Sequence, residues 1–345
     1  MLEVPCHLAI DVHDASQVGH ARRAAVRVAE QLGFDEVATG RAALVATELG
    51  TNLVRHAQKG RLLVGAVEGD DGQAMVEILS LDHGPGIPNV RACMADGYPT
   101  GDTPGSGLGA VRRLSTEFDL FSSQPAGTVI MSRVAAKVDA GETPLVPANP
   151  SSFVQGSVAL AAPGEFVCGD AWAVVQQGSQ ASIIVADGLG HGPLAFEASN
   201  AAVTVFKDAP FIPPSQAVER MHQMLRATRG AAVLMAQLNM DDNVLTFSGA
   251  GNIAGRLISG VRDKSLASQH GTVGIQIRRL QDVKQEWPPY ALLVLHSDGL
   301  TTRWDLDNAQ GILQHHPTVV AGWLVREHCR GLDDATVVVL KRRGA

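Results

Sequence analysis

Four short acidic segments follow one another along the later part of the chain: Gly169-Asp170, Asp187-Gly188-Leu189-Gly190-His191-Gly192, Ser297-Asp298-Gly299 and Asp333-Asp334-Ala335-Thr336. Asp187 ends the apolar run SIIVAD and Asp298 ends ALLVLHSD, and each is followed by glycine. A carboxylate at a strand end, beside a turn, reaches into a site without burying an unpaired charge along the strand. The glycine lets the chain turn sharply or leaves its carbonyl free to ligate. Hard divalent cations take several oxygen ligands, so four carboxylate positions without a cysteine pair suit Mg²⁺ or Mn²⁺ rather than zinc. Two such ions a few ångströms apart would hold a bridging water, acidify it and clamp a phosphate. Each aspartate alone, and a single Asp-Gly pair above all, is better explained as a turn or cap residue. The ordered set is what points to a metal site.

The earlier part of the chain carries a different group. Glu48, Asn52 and His56 share one helix face by their spacing. An apolar run then leads into Asp82-His83-Gly84-Pro85-Gly86, and Gly105-Ser106-Gly107-Leu108-Gly109 opens another helix. A carboxylate at a strand end can accept a hydrogen bond from an exocyclic amine. Glycines let backbone N–H groups approach phosphates, whose charge a helix N-terminus attracts. A polar helical stripe alone reads as a solvated face. The segment GSGLG alone is a common turn, lacking both the lysine of a P-loop and the preceding strand of a dinucleotide fingerprint.

The elements that must position these residues fall into two groups. Residues 136–152, with Pro144, Pro147 and Pro150 and little apolar periodicity, read as a linker. The domains expected are therefore 1–138 and 153–345, joined by a Pro-rich segment over 139–152. In the first, periodicity predicts helices over 16–32, capped by Ser16, and over 36–58. Strands are expected at 61–68 and 73–81, a helix at 107–116, and two strands within 118–135 around the turn QPAG. Helices on one side of an antiparallel sheet make an α+β sandwich. In the second domain, strands are expected at 153–161, 165–177, 181–187, 231–240, 243–249, 253–259, 290–297 and 335–342. Helices are expected at 192–206, 214–228 and 315–330. Two packed sheets flanked by helices follow from that pattern.

Taken in order, Glu48-x-x-x-Asn52, Asp82-x-Gly84-x-Gly86, Gly105-x-Gly107-x-Gly109 and Gly127-Thr128 resemble the GHKL (Bergerat-fold) ATPases, and within them the switch kinases of stressosome modules. Ala57-Gln58-Lys59-Gly60, Asp96-Gly97-Tyr98 and Arg113-Leu114 with Glu117-Phe118 also look like that branch. The resemblance implies an ATP- or ADP-binding domain in which Asn52 ligates Mg²⁺ and Asp82 binds the adenine amine. Gly84, Gly86, Gly105, Gly107 and Gly109 would frame the nucleotide, Thr128 would support the adenine pocket, and Glu48 would act as base toward a serine or threonine hydroxyl. Phosphoryl transfer needs mainly position, metal charge and such a base. The acidic set of the second domain, with Ser248-Gly249-Ala250-Gly251-Asn252-Ile253, resembles the PP2C-type phosphatases of the SpoIIE branch. That implies an αββα sandwich holding two Mn²⁺ or Mg²⁺ ions on Asp170, Asp187, the Gly188 carbonyl, Asp298 and Asp333. Many relatives carry a histidine two residues after the first DG aspartate. Here that position is Leu189, so His191 is the candidate proton donor. No arginine stands in an obvious place to bind the substrate phosphate.

Composition sets the limits. The 345 residues are 45% hydrophobic and 18% charged with a formal net charge of -7, which argues against general attraction to nucleic acid or anionic membranes. Cys6, Cys93, Cys168 and Cys329 form no CxxC pair, as expected in a reducing compartment. With no signal-like start and no long apolar stretch, a cytoplasmic location is expected. The combined resemblances imply a metal-dependent protein serine/threonine phosphatase acting on phosphorylated STAS-domain regulators. The ATP-binding domain would be either an opposing kinase or a nucleotide-dependent module that docks a STAS protein or a sigma factor.

Overall fold

The computed structural model describes residues 6–57, 59–69, 72–94, 107–136, 151–260 and 263–344. The expected linker at 139–152 therefore lies almost wholly outside the described residues, as do Gly105, Gln58 and Asp96-Gly97-Tyr98. The chain divides into two compact units. The first comprises Met1–Pro150 with Asp305–Arg326; the second comprises Ser151–Trp304 with Glu327–Ala345.

In the first unit the elements run β1 (Leu8–Val12), α1 (Ala15–Gln31), α2 (Glu36–His56), β2 (Gly60–Glu68), β3 (Ala74–Asp82), α3 (Val90–Cys93), α4 (Gly107–Leu114), β4 (Glu117–Ser123) and β5 (Gly127–Ala135). The strands form one antiparallel sheet in the order β1-β2-β3-β5-β4. The cap of α1 is Asp14 rather than the expected Ser16. Its carboxylate accepts from the backbone N–H of Ser16 and Gln17, while Gln17 reaches back to the cap, a reciprocal arrangement that a carboxylate at that position makes available. Asp35 caps α2 by accepting from the Ala38 N–H at 2.7 Å. Ala21, Ala25 and Ala29 of α1, and Val45, Leu49 and Leu53 of α2, pack on Leu62, Val64, Val76, Ile78, Ile130 and Val134 of the sheet.

A two-layer sandwich would leave the other sheet face wet, yet every residue of β5 and all but the two ends of β3 are buried. Residues 305–326 supply the cover. Trp323 meets Phe121 edge-on at 5.1 Å, and a methyl on Gly322 would touch Leu81 and Val129. Asp119 accepts from the His316 N–H at 2.6 Å and pairs with the His315 ring at 2.9 Å. Inside this layer Glu77, fully buried, holds the Arg133 guanidinium at 2.6 Å and the His7 ring at 2.9 Å. Arg133 also donates to Glu117 and Thr318, each at 2.8 Å.

The second unit begins with β6 (Phe153–Leu160), β7 (Asp170–Gln177), β8 (Gln180–Gly188), α5 (Pro193–Asp208), α6 (Pro214–Met224), β9 (Ala231–Asn239) and β10 (Val244–Ala250). It continues with β11 (Ala254–Ile258), β12 (Lys264–Ala267), β13 (Gly271–Thr272), β14 (Gln276–Ile277), β15 (Val283–Glu286) and β16 (Leu292–His296). Helix α7 (Pro317–His328) follows, most of it in the first unit, and β17 (Ala335–Arg342) closes the second sheet. The two five-stranded sheets have the orders β15-β10-β9-β8-β7 and β12-β11-β16-β17-β6. Their facing sides interdigitate through Ile183, Val185, Leu234 and Phe247 on one and Leu257, Leu293, Leu295 and Val338 on the other. Phe153 and Trp287 stack at 5.7 Å within that core. The strand expected over 165–177 begins only at Asp170, because residues 161–169 form a turn-rich entry to it.

Candidate active site

Antiparallel register places the first two acids of the second unit opposite each other: Asp170, the first residue of β7, pairs with Asp187 near the end of β8. Asp298 follows β16 and the Asp333-Asp334 pair precedes β17, two neighbouring strands of the other sheet. Asp170 is buried at 1% exposure. Its Oδ2 accepts from the Ser297 hydroxyl at 2.6 Å, and its Oδ1 is buried without a hydrogen-bond partner. Ser297 Oγ in turn accepts from the Thr336 N–H at 3.0 Å, tying the motif before Asp298 to the start of β17. Asp298 accepts from the Asn252 side-chain amide at 2.6 Å. Asp334 is buried, accepting from the Ala162 N–H at 2.8 Å through Oδ1, while its Oδ2 has no partner. Asp333 is exposed and accepts from its neighbour's N–H.

The electrostatics report the same convergence. Burial, followed by the charges of Asp170, Asp298, Asp333 and Asp334, pushes the Asp187 carboxyl far above its ordinary range. Burial also pushes Asp170 up, with Asp334 and Asp298 adding to it against the Ser297 hydrogen bond. Buried carboxyls that repel one another make a site short of positive charge. Among the described residues no three acidic, histidine or cysteine side chains already close around one point as a ready cage. The donor set is nevertheless all oxygen and anionic, which fits a hard divalent cation.

Glycine makes the approach possible. A methyl on Gly188 would overlap the Ala195 carbonyl, and one on Gly299 would overlap the Asp334 carbonyl. His191 is half out in solvent, its Nδ1 at 2.7 Å from Glu165 Oε1. Asn252 and Ser297 were not singled out as functional from sequence, although both stand inside segments that were, SGAGNI and SDG.

In the first unit a cavity of about 250 Å³ lies between α2, the ends of β3 and β5, and the start of α4. Asn52, His56, Asp82, Gly86, Gly107 and Thr128 line it together with apolar Leu53, Ile87, Leu108 and Ile130. Asp82 and Thr128 are directly paired across β3 and β5, and Ser122 shares a 2.9 Å hydrogen bond with Thr128. Asp82 Oδ1 accepts from the Gly84 N–H at 2.7 Å. Burial raises the Asp82 carboxyl above its usual range against that hydrogen bond and the Arg326 charge. Gly107 sits against Asn52, its missing Cβ 3.7 Å from Oδ1. Gly84 and Gly109 are buried behind the lining. Glu48 lies one helical turn before Asn52 but does not line the cavity, and Gly105 lies outside the described residues.

Comparison with known proteins agrees with both halves. The family model described as the histidine kinase-like ATPase domain matches residues 12–133. The model of stage II sporulation protein E (SpoIIE) matches residues 177–343. The chain is similar to the serine/threonine-protein kinase RsbT of Bacillus subtilis, with 38% identity over 112 residues, covering 32% of this chain and 84% of that protein. It is also similar to the phosphoserine phosphatase RsbX of the same organism, with 29% identity over 90 residues, covering 26% of this chain and 45% of that one. A solved structure from work on the bacterial stressosome as a modular system shares the fold, with TM-score 0.51 and 24% identity, covering 55% of this chain and 99% of that chain. No helix among the described residues is long and apolar enough to cross a membrane.

Proposed function

We propose that this chain, which belongs to the histidine kinase-like ATPase family through its first domain and carries a SpoIIE-type PP2C phosphatase domain in its second, removes phosphate from serine or threonine of STAS-domain regulators under the influence of bound nucleotide. The observation that carries the phosphatase half is the placement of Asp170 opposite Asp187 at one pair of strand ends, with Asp298 and Asp333 at the ends of the neighbouring strands β16 and β17. Asp170, Asp187, the Gly188 carbonyl, Asp298 and Asp333 would hold two Mn²⁺ or Mg²⁺ ions. When bound, such ions supply Lewis acidity toward the phosphate and lower the pKa of water. Ser297 fixes Asp170 and Asn252 orients Asp298, so both carboxylates are aimed before any ion arrives. His191, paired with Glu165, would return a proton to the leaving serine or threonine oxygen.

In the first domain the cavity would take ATP or ADP with Mg²⁺, the adenine amine on Asp82 and the phosphates near Asn52 and Gly107. Glu48 would then draw the proton from an attacking hydroxyl, making this a kinase set against the phosphatase. Because the cavity wall includes Asn52 but not Glu48, a second reading also stands. There the domain binds nucleotide and docks a STAS protein or a sigma factor, regulating the phosphatase without transferring phosphate.

The test is Mn²⁺-dependent release of phosphate from a phosphorylated STAS protein, with and without ATP. Activity unaffected by Asp187→Asn and Asp298→Asn would sink the phosphatase reading. Transfer of labelled γ-phosphate to the STAS protein that disappears in Glu48→Ala selects the kinase. No transfer, with nucleotide still altering dephosphorylation in the wild type but not in Asp82→Ala, selects the docking module.

A further inference from the structure

The geometry points to Arg229 as the side chain that receives the phosphate of the substrate in the second domain, an inference that rests on the phosphatase reading above. The pairing of β8 with β9 does not stop at the metal motif. Asp187 pairs with Ala232 and Gly188 with Ala231, and the Leu189 N–H then donates to the Gly230 carbonyl at 3.0 Å. The residue just before β9 is thereby brought alongside the turn that follows Asp187. Gly230 stands at φ +80, and a side chain there would strike the Val273 carbonyl, so the chain before β9 is fixed where it turns. From that point the Arg229 side chain reaches back over Gly190: its Nη1 is 3.2 Å from where a Cβ on Gly190 would stand. A larger residue at 190 would push the guanidinium away.

The charge is uncommitted. Arg229 is exposed and, among the described residues, makes no ion pair or hydrogen bond, although Asp187, whose carboxyl faces those of Asp170, Asp298 and Asp333, opens the turn it covers. A cation spent on structure would be paired with one of them. An unpaired planar fork beside an anionic, cation-binding cluster is suited to a dianionic phosphomonoester, which it can grip through two parallel N–H···O bonds. Reaching over Gly190, it lies along the DGLG turn that carries Asp187 without supplying a ligand. Arg330 is another arginine near the motifs: its backbone N–H donates to the Gly299 carbonyl at 2.8 Å, so its main chain is committed to the Asp298 turn. Sequence inspection offers no hint of Arg229, since ATRGA carries no motif and only strand register brings it to Asp187.

The experiment uses the full chain with Mn²⁺, a small phosphomonoester (p-nitrophenyl phosphate) as substrate, and inorganic phosphate as a non-reacting probe. Loss of a charge-assisted, two-point contact raises KM and the phosphate inhibition constant about ten- to a hundredfold in Arg229→Ala, with kcat changed far less. Arg229→Lys recovers part of the loss, because a point charge replaces the fork. Calorimetric titration of inorganic phosphate onto the Mn²⁺-loaded protein shows the same ordering without turnover. Arg220→Ala, on the outer side of α6, leaves all these values at wild type. An active wild type whose KM and phosphate affinity survive Arg229→Ala overturns the assignment, as does a rise that appears in Arg330→Ala instead. Loss of Mn²⁺ binding together with kcat in Arg229→Ala overturns it too, since the residue would then only prop the turn. A wild type inert toward every phosphomonoester brings down the phosphatase reading itself, and the assignment with it.

Discussion

Glu77→Gln removes one negative charge from the middle of the first domain's sheet and leaves Arg133 there. Burial alone would raise the Glu77 carboxyl, but the Arg133 guanidinium and the His7 ring outweigh it and hold it at about 2. The distance from the ordinary glutamate value of 4.5 corresponds to about 3 kcal/mol of folding stability. Breaking a buried pair by removing one partner costs about 3–5 kcal/mol by an independent route, because Arg133 keeps only Glu117, Thr318 and little solvent. The sign follows from the lowered value. The contribution is complete above pH 4.5 and is lost as pH falls from there toward 2. Hydrogen exchange of peptides covering β3 and β5 reads this domain separately from the rest of the chain. At pH 7 the variant's protection should fall by two or more orders of magnitude. The wild type should lose about half of that contribution between pH 5 and 3 and the rest below, and the variant much less. Protection unchanged in Glu77→Gln, or an equal acid loss in both proteins, would refute the account of this network as an ion pair worth more than its desolvation.

Three further outcomes are expected. Trp323→Ala, at a side chain 1% exposed against Phe121, should cost the first domain about 3–5 kcal/mol, read by the same exchange measurement. Asp187→Asn should abolish Mn²⁺-induced thermal stabilisation. Because the Asp187 carboxyl is raised, its own contribution to the metal-free wild type is complete below the ordinary carboxylate range and is lost as pH rises from there through the raised value. The metal-free variant should therefore melt higher than the metal-free wild type at pH 9 and alike at pH 4. Asp82→Ala should weaken nucleotide binding about ten- to a hundredfold, measured by equilibrium titration of ATP, while hydrolysis of a small phosphate ester persists.

What the chain discloses unaided divides along physical lines. The acidic motifs were legible because an apolar run ending in Asp-Gly is a local statement: the strand, its end and the turn are all written within ten residues. The ATPase segments were legible for the same reason. Strand β1 was not, since LAIDV is too short for its alternation to stand out and its pairing with β2 is non-local. The helix α7 was read correctly as a helix, but its almost continuous apolar surface, PTVVAGWLV, says only that it is buried and not against what. The unbroken apolar runs within β3 and β5, buried but for the two ends of β3, held the complementary hint, because a sheet covered on one side only should alternate. Arg229 could not be found at all without register, because nothing in its neighbourhood marks it.

The cover that residues 305–326 lay over the first sheet has a consequence for biosynthesis. The chain passes from one compact unit to the other at Pro150–Ser151, Trp304–Asp305 and Arg326–Glu327. On the ribosome the first unit cannot bury Leu81, Phe121 and Val129 when its own strands emerge; it must wait until most of the phosphatase has been made. During that interval an apolar sheet face stands open, the condition under which nascent chains recruit chaperones or aggregate. Neither half is therefore a cassette that a single cut releases. Fragments ending near residue 150 should be poorly soluble unless a peptide spanning 305–326 is supplied in trans.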